Sequence, residues 1–208
     1  DAFEQSTSGE SLVNMMDLDL LVGSGGVLSH APRREQSAKM LIDSFMPEGV
    51  TQLAVDSIFM MPQLGVLAHV DKEEFKDESR KAALEVFHKD CLIRLGTCIN
   101  PVGRSKPGDI VLNAELTMPD GTILEQELIK DKIVRIEVPY EPVKAILRPG
   151  KNMDIGAGPG QEIATDIYGG TVGLIFDGRD RPISIPSDPL KRLEALRSWS
   201  SALNEYPE

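Results

Sequence analysis

The chain has 208 residues, of which 41% are hydrophobic and 26% charged, and its formal net charge is −11. Such a composition is ordinary for a soluble globular protein of one or two domains, each able to bury a core of its own. The acidic balance argues against a nucleic-acid partner, because affinity for a phosphate backbone depends on clustered Lys and Arg, and no stretch approaches the ~18 uninterrupted apolar residues of a membrane span.

Residues 1–11 are small and polar and read as a loose lead-in. The chain opens on Asp, not Met, and reads as a piece of a longer protein. A first strand over 15–22 runs into Gly23-Ser-Gly-Gly26, and a helical pattern follows. A strand, a glycine turn and a helix in that order suit close approach of a ligand: glycine tolerates positive φ, and a helix N-terminus offers N–H groups to phosphate. The motif is neither Gly-x-Gly-x-x-Gly nor, lacking Lys, a Walker loop. A tight turn with no ligand is the competing reading.

Ala38, Leu41, Ile42 and Phe45 fall at i, i+3, i+4 and i+7, which predicts a helix over 33–45, closed by Pro47 and Gly49. A strand over 50–55, a short helix over 62–70, a long helix over 71–91 and a strand over 91–99 complete an α/β segment. Cys91 and Cys98, spaced Cys-x6-Cys, match no zinc or redox motif and read as reduced, buried thiols of a cytoplasmic protein.

After residue 102 helical periodicity gives way to short β-rich runs. Strands are predicted over 109–117 and 123–129, joined at Asp120-Gly121 by a tight primed turn. Others are predicted over 133–138, 143–147, 162–168, 171–176 and 183–185, with a closing helix over 189–203. The expected division is an α/β unit over 1–102, and a small β-barrel or β-sandwich with a C-terminal helix over 103–208.

Asp154-Ile-Gly-Ala-Gly-Pro-Gly160 opens like the phosphate loop of a nucleotide-binding protein. It lacks an apolar strand before it and hydroxyl side chains after it, so it reads as a turn or bulge between strands. Asp56, at a strand end, reads first as a helix cap. His30 adjoins the glycine turn, where it either caps or touches a ligand, whereas His69 and His88 stand apart from it. No Ser/His/Asp or Cys/His set is present, and no metal ligands or catalytic residues are expected.

Two long stretches carry a family resemblance: Val22-Gly-Ser-Gly-Gly-Val-Leu-Ser-His-Ala-Pro-Arg33 and Pro47-Glu-Gly-Val-Thr-Gln-Leu-Ala-Val-Asp-Ser-Ile-Phe-Met-Met-Pro-Gln-Leu-Gly-Val-Leu67. Shorter ones follow at Leu95-Gly-Thr-Cys-Ile-Asn-Pro-Val-Gly103 and over 154–160. Together they resemble the accessory protein family of glutamate mutase, related to the reactivating factors of cobalamin-dependent enzymes and unrelated to mismatch repair. The resemblance implies that the chain is the C-terminal portion of an actin-like ATPase, with a partial actin-like subdomain at 1–102. It implies ATP/ADP as ligand, with Mg in the full-length protein. Gly23, Ser24, Gly25 and Gly26 would form the adenosine-binding turn, with Ser29 and His30 beside it. The implied partner is the subunit of a cobalamin-dependent mutase, whose damaged cofactor the whole protein would exchange. The phosphate-gripping motifs of such ATPases lie well before the adenosine turn, where this chain has only a short lead. The alternative reading is a non-enzymatic interaction module in which residues 23–26 are only a turn.

Overall fold

The computed structural model describes residues 13–69 and 76–206. A 3-10 turn at Met15–Asp17 precedes β1 (Leu20–Gly23), a single helical turn α1 (Gly26–Ser29) and α2 (Arg34–Phe45). Next come β2 (Gly49–Asp56), α3 (Met61–Ala68), α4 (Lys76–Val86), a π-helical turn at Phe87–Cys91 and β3 (Leu92–Asn100). The second half holds β4 (Val102–Gly103), β5 (Ile110–Thr117), β6 (Ile123–Ile129), β7 (Ile133–Ile136) and β8 (Pro142–Pro149). It ends with β9 (Met153–Asp154), β10 (Ile163–Tyr168), β11 (Gly173–Asp177) and α5 (Pro189–Leu203).

A five-stranded mixed sheet has the order β1-β2-β3-β11-β7. β1 runs parallel to β2 and β3 parallel to β11, while β2–β3 and β11–β7 are antiparallel. A second sheet, β10-β8-β5-β6, is wholly antiparallel, and β4 and β9 form a small ribbon. The five-stranded sheet thus crosses the division expected at 102/103, since β7 and β11 come from the second half of the sequence.

Strand alternation assigns each face of the five-stranded sheet a different covering. Leu53, Val55, Leu95, Cys98 and Ile175 pack with Ala38, Leu41 and Ile42 of α2 and with Trp199 and Leu203 of α5. Ile99, Leu174 and Phe176 turn the other way and pack against Leu112, Leu116, Val143 and Leu147 of the antiparallel sheet. The result is a mixed α/β fold in three layers: helices, mixed sheet, antiparallel sheet. Leu64, Ala83 and Cys91 close a smaller cluster under α3 and α4.

At the centre, Gly173 lies in register with Gly96. A Cβ on Gly96, where φ is +138°, would fall 1.8 Å from the Gly173 carbonyl oxygen, so two glycines are what lets β3 and β11 approach.

Local differences from the sequence expectation have identifiable causes. Residues 15–17 form a 3-10 turn instead of strand, held where the Asn14 side chain accepts from the Met16 N–H. The hairpin between β5 and β6 closes through Met118 N–H to Thr122 carbonyl at 2.8 Å, with Gly121 at φ +84°. That is a three-residue loop ending on a left-handed glycine, not the two-residue primed turn. Residues 183–185 are irregular, not strand. The expected helix over 71–91 starts in part outside the described residues and ends in the π-helical turn, and the lead-in over 1–11 lies wholly outside them.

Candidate functional site

Parallel pairing of β1 with β2 brings the carboxyl ends of both strands to one end of the mixed sheet, with Gly23 opposite Val55. There the four residues of the glycine turn separate by role. Gly23 is buried, and a Cβ on it would lie 2.7 Å from Leu28 Cδ1 and 2.9 Å from Leu41 Cδ2. Its small size serves packing. Gly25 has φ +106°, and a Cβ there would meet nothing within 4 Å. Gly26 is exposed, and a Cβ on it would have only the His30 ring nearby, at 4.0 Å. Gly25 and Gly26 therefore present bare backbone to open space.

The remaining candidates are organised around Asp56, fully buried at the end of β2. Its carboxylate accepts the Met60 N–H at 3.1 Å and the Met61 N–H at 2.9 Å, so it holds the entry to α3 from four residues ahead, whereas the N-cap position expected for it is taken by Met60. Ser24 donates its hydroxyl to the same carboxylate at 3.4 Å. Ser29 is buried and donates to the Asp56 backbone carbonyl at 2.6 Å, so its hydroxyl ties α1 to β2. His30 is exposed, and its backbone N–H closes α1 onto the Gly26 carbonyl at 3.0 Å. His69 ends α3, and His88 lies in the π-helical turn, away from this group in the sequence.

The helix expected to aim its N-terminus at phosphate is a single turn here. The N–H groups of Leu28 and Ser29 already reach the Gly25 carbonyl at 3.1 and 2.9 Å. Pro32 follows closely, and without an N–H it cannot extend the ladder, so the longer helix α2 begins anew at Arg34.

At the opposite end of the sheet lies a charge cluster between the strands expected over 171–176 and 183–185. Asp177 ends β11 with no exposed surface, and Arg179 is 2% exposed. The Arg179 guanidinium donates to both Asp177 oxygens at 2.9 and 2.8 Å and meets Asp43 of α2 at 2.9 Å. Arg181 donates to Asp177 at 2.9 Å and to the Pro47 carbonyl at 3.1 Å. Asn100 adds hydrogen bonds to the Asp177 and Arg179 carbonyls, and the Trp199 ring lies under the Arg179 guanidinium at 5.0 Å. Burial alone would raise the Asp177 carboxyl. The Arg179 hydrogen bonds and the charges of Arg181 and Arg179 outweigh it and hold the group below the usual carboxylate range. Burial first, and then the Asp177 charge, push the nearby Cys98 thiol up to about 12. The signal was present in the sequence as Asp-Gly-Arg-Asp-Arg directly after an apolar strand, a spacing that lets one carboxylate meet two guanidinium groups.

Asp154 turns its own carboxylate into the glycine loop that follows, accepting the Gly156 N–H at 2.7 Å and the Gly158 N–H at 3.0 Å. The amides that a phosphate would need are occupied from within, which agrees with the turn reading.

Among known families, residues 5–89 match the family model described as MutL protein. No curated protein and no solved structure matches the chain. Over residues 5–89, the span that holds the glycine turn and Asp56, this chain is therefore similar to the MutL protein family.

Proposed function

We propose that this chain is part of an accessory protein that acts on a cobalamin-dependent mutase of the glutamate mutase type, using nucleotide to drive exchange of damaged cofactor. The observation that carries the reading is the match of residues 5–89 to the MutL protein family, which is the mutase accessory family that the sequence resembles. The partner is then a mutase subunit. The finer reading is an actin-like, chaperone-like ATPase in which residues 23–26 form the adenosine wall. Bare backbone at Gly25 and Gly26, beside open space, supports that assignment. Ser29 and His30 lie at its border, where Ser29 braces the turn through Asp56 and exposed His30 is free to meet a ligand edge.

Open backbone at Gly25 and Gly26 leaves room for an adenosine, and no Lys or Arg stands within residues 23–30 to meet its phosphates. The Asp154 loop supplies no phosphate cradle here, because its amides meet its own carboxylate and it lies beside Gly49, at the other end of β2 from Asp56. Bound ATP would supply the free energy of hydrolysis, and these residues would contribute binding and orientation of its base and ribose. Linkage then makes the device: nucleotide favours one conformation, and that conformation binds and opens the mutase. Phosphoryl transfer depends on positioned phosphate, metal and water, so the 208-residue chain by itself should not turn over ATP.

The test is titration calorimetry of the full-length protein with a non-hydrolysable ATP analogue, comparing Gly25→Val with the parent. The side chain would project where the ligand must approach, and affinity should fall at least about tenfold, equivalent to ~1.4 kcal/mol. Unchanged affinity in a variant with native circular dichroism would remove the adenosine assignment and favour the interaction-module reading.

A further inference from the structure

β6 is one of the two outer strands of the antiparallel sheet: it pairs with β5 on one side and has no strand on the other among the described residues. Such an edge is a template for a further strand. The register with β5 places Ile123, Glu125, Glu127 and Ile129 on the outer face, all exposed, and Leu124, Gln126 and Leu128 on the other, where the half-buried Gln126 donates its side-chain amide to the Glu127 carbonyl at 2.5 Å, a bond an added strand would have to displace. Glu125 stands directly opposite Glu115. Arg148 serves Glu115 at 3.3 Å and Glu162 at 2.6 Å, leaving Glu125 and Glu127 without an ion pair among the described residues. Beside the start of the strand is an open cavity lined by Met118, Leu124, Val138 and Pro139 together with Asp120 and Glu141.

We propose that the β6 edge accepts an extended segment of a partner protein carrying basic residues at alternate positions, by strand addition. On the face shared with β6, the partner would read apolar, basic, basic, apolar, set against Ile123, Glu125, Glu127 and Ile129. Main-chain hydrogen bonds would supply affinity, and the alternating side chains would supply the choice of partner. A second copy of this chain is a poor occupant. Antiparallel pairing of two β6 strands about Gln126 would set Glu125 of each against Glu127 of the other, and like charges directly opposed are destabilising. This inference stands on strand order and charge, independently of the nucleotide reading.

The probe is the capped peptide Val-Thr-Lys-Thr-Lys-Thr-Val, titrated at low salt into the isotope-labelled 208-residue chain and followed by NMR shifts and amide exchange. Binding should slow exchange within residues 123–129. It should weaken at least about tenfold for Glu125→Lys/Glu127→Lys, and for the parent protein given the same peptide with alternate backbone amides methylated. Equal binding of the methylated peptide would overturn strand addition, because its side chains and charge are kept while alternate main-chain donors are blocked. Three other results would also overturn the proposal: no binding at low salt, shifts centred away from β6, or sedimentation showing that the edge is taken up by a second copy.

Discussion

Replacing Asp177 with Asn keeps the shape of the side chain but leaves Arg181, at 3% side-chain exposure, with no carboxylate, and Arg179, at 2%, with Asp43 alone. Removing one member of a buried pair costs about 3–5 kcal/mol because the other charge stays uncompensated. Asp177→Asn should lower the unfolding free energy by that order in urea titrations at neutral pH. The pH dependence has a defined sign. The folded carboxyl lies below its ordinary 3.8, so its contribution is complete above that value and is lost as pH falls below it. Urea titrations repeated from pH 6 down to pH 2.5 should show the parent losing its advantage over Asp177→Asn at the acid end. A constant difference across that range would mean that the carboxylate charge is not what holds the cluster. The two glycines at the other end of the sheet make a similar point about reading residues. Gly23 and Gly25 are indistinguishable in the sequence, yet contact with Leu28 and Leu41 makes one a packing residue, and open space leaves the other available.

Elements whose signals are local were the legible ones. Helix α5 begins and ends where periodicity and capping place it: Asp188 accepts the Leu190 and Lys191 N–H groups at 3.1 and 2.9 Å, Pro189 starts the helix, and Asn204 closes it in the left-handed conformation. Asp188→Ala should therefore cost about 1 kcal/mol, seen as a lower urea midpoint with an unchanged slope. An unchanged midpoint would mean that Pro189 suffices to start the helix. The strands β2, β5, β6 and β11 were equally plain from alternation or continuous apolar runs. What failed were features decided by neighbours. Residues 183–185 alternate Ile-Ser-Ile as a strand would, but they stand between Pro182 and Pro186 and pair with no strand among the described residues. Nothing in the residues 26–29 themselves says that α1 stops after one turn; Pro32, which has no N–H to continue the ladder, decides it.

For the whole molecule, composition and texture revealed two kinds of layer but not how the chain threads them. The change after residue 102 is real in the sequence, because the next strands build an antiparallel sheet. What texture could not show is that β11 returns to lie against β3 and that α5 covers the face begun by α2. Strand pairing across such separations leaves no periodic mark. A chain cut to residues 1–102 would expose the β11-facing edge of β3 and the sheet surface under Trp199 and Leu203. It should show no cooperative thermal transition and should aggregate, whereas the full 208 residues should melt in one step. A sharp, reversible transition for 1–102 alone would mean that the first three strands hold a core without the later ones.

The same threading bears on how the protein is made. β3 is complete by Asn100, but its parallel neighbour starts only at Gly173, with an entire antiparallel sheet between them in the sequence. During synthesis the first strands leave the ribosome before β11 exists, at roughly 5–20 residues per second, so β3 waits seconds with one flank unpaired. Pairing across a long intervening segment is slow for reasons of loop closure alone. The interval between β3 and β11 is therefore the window in which a nascent chain is most open to capture by a holding chaperone, and slowing translation there would widen it.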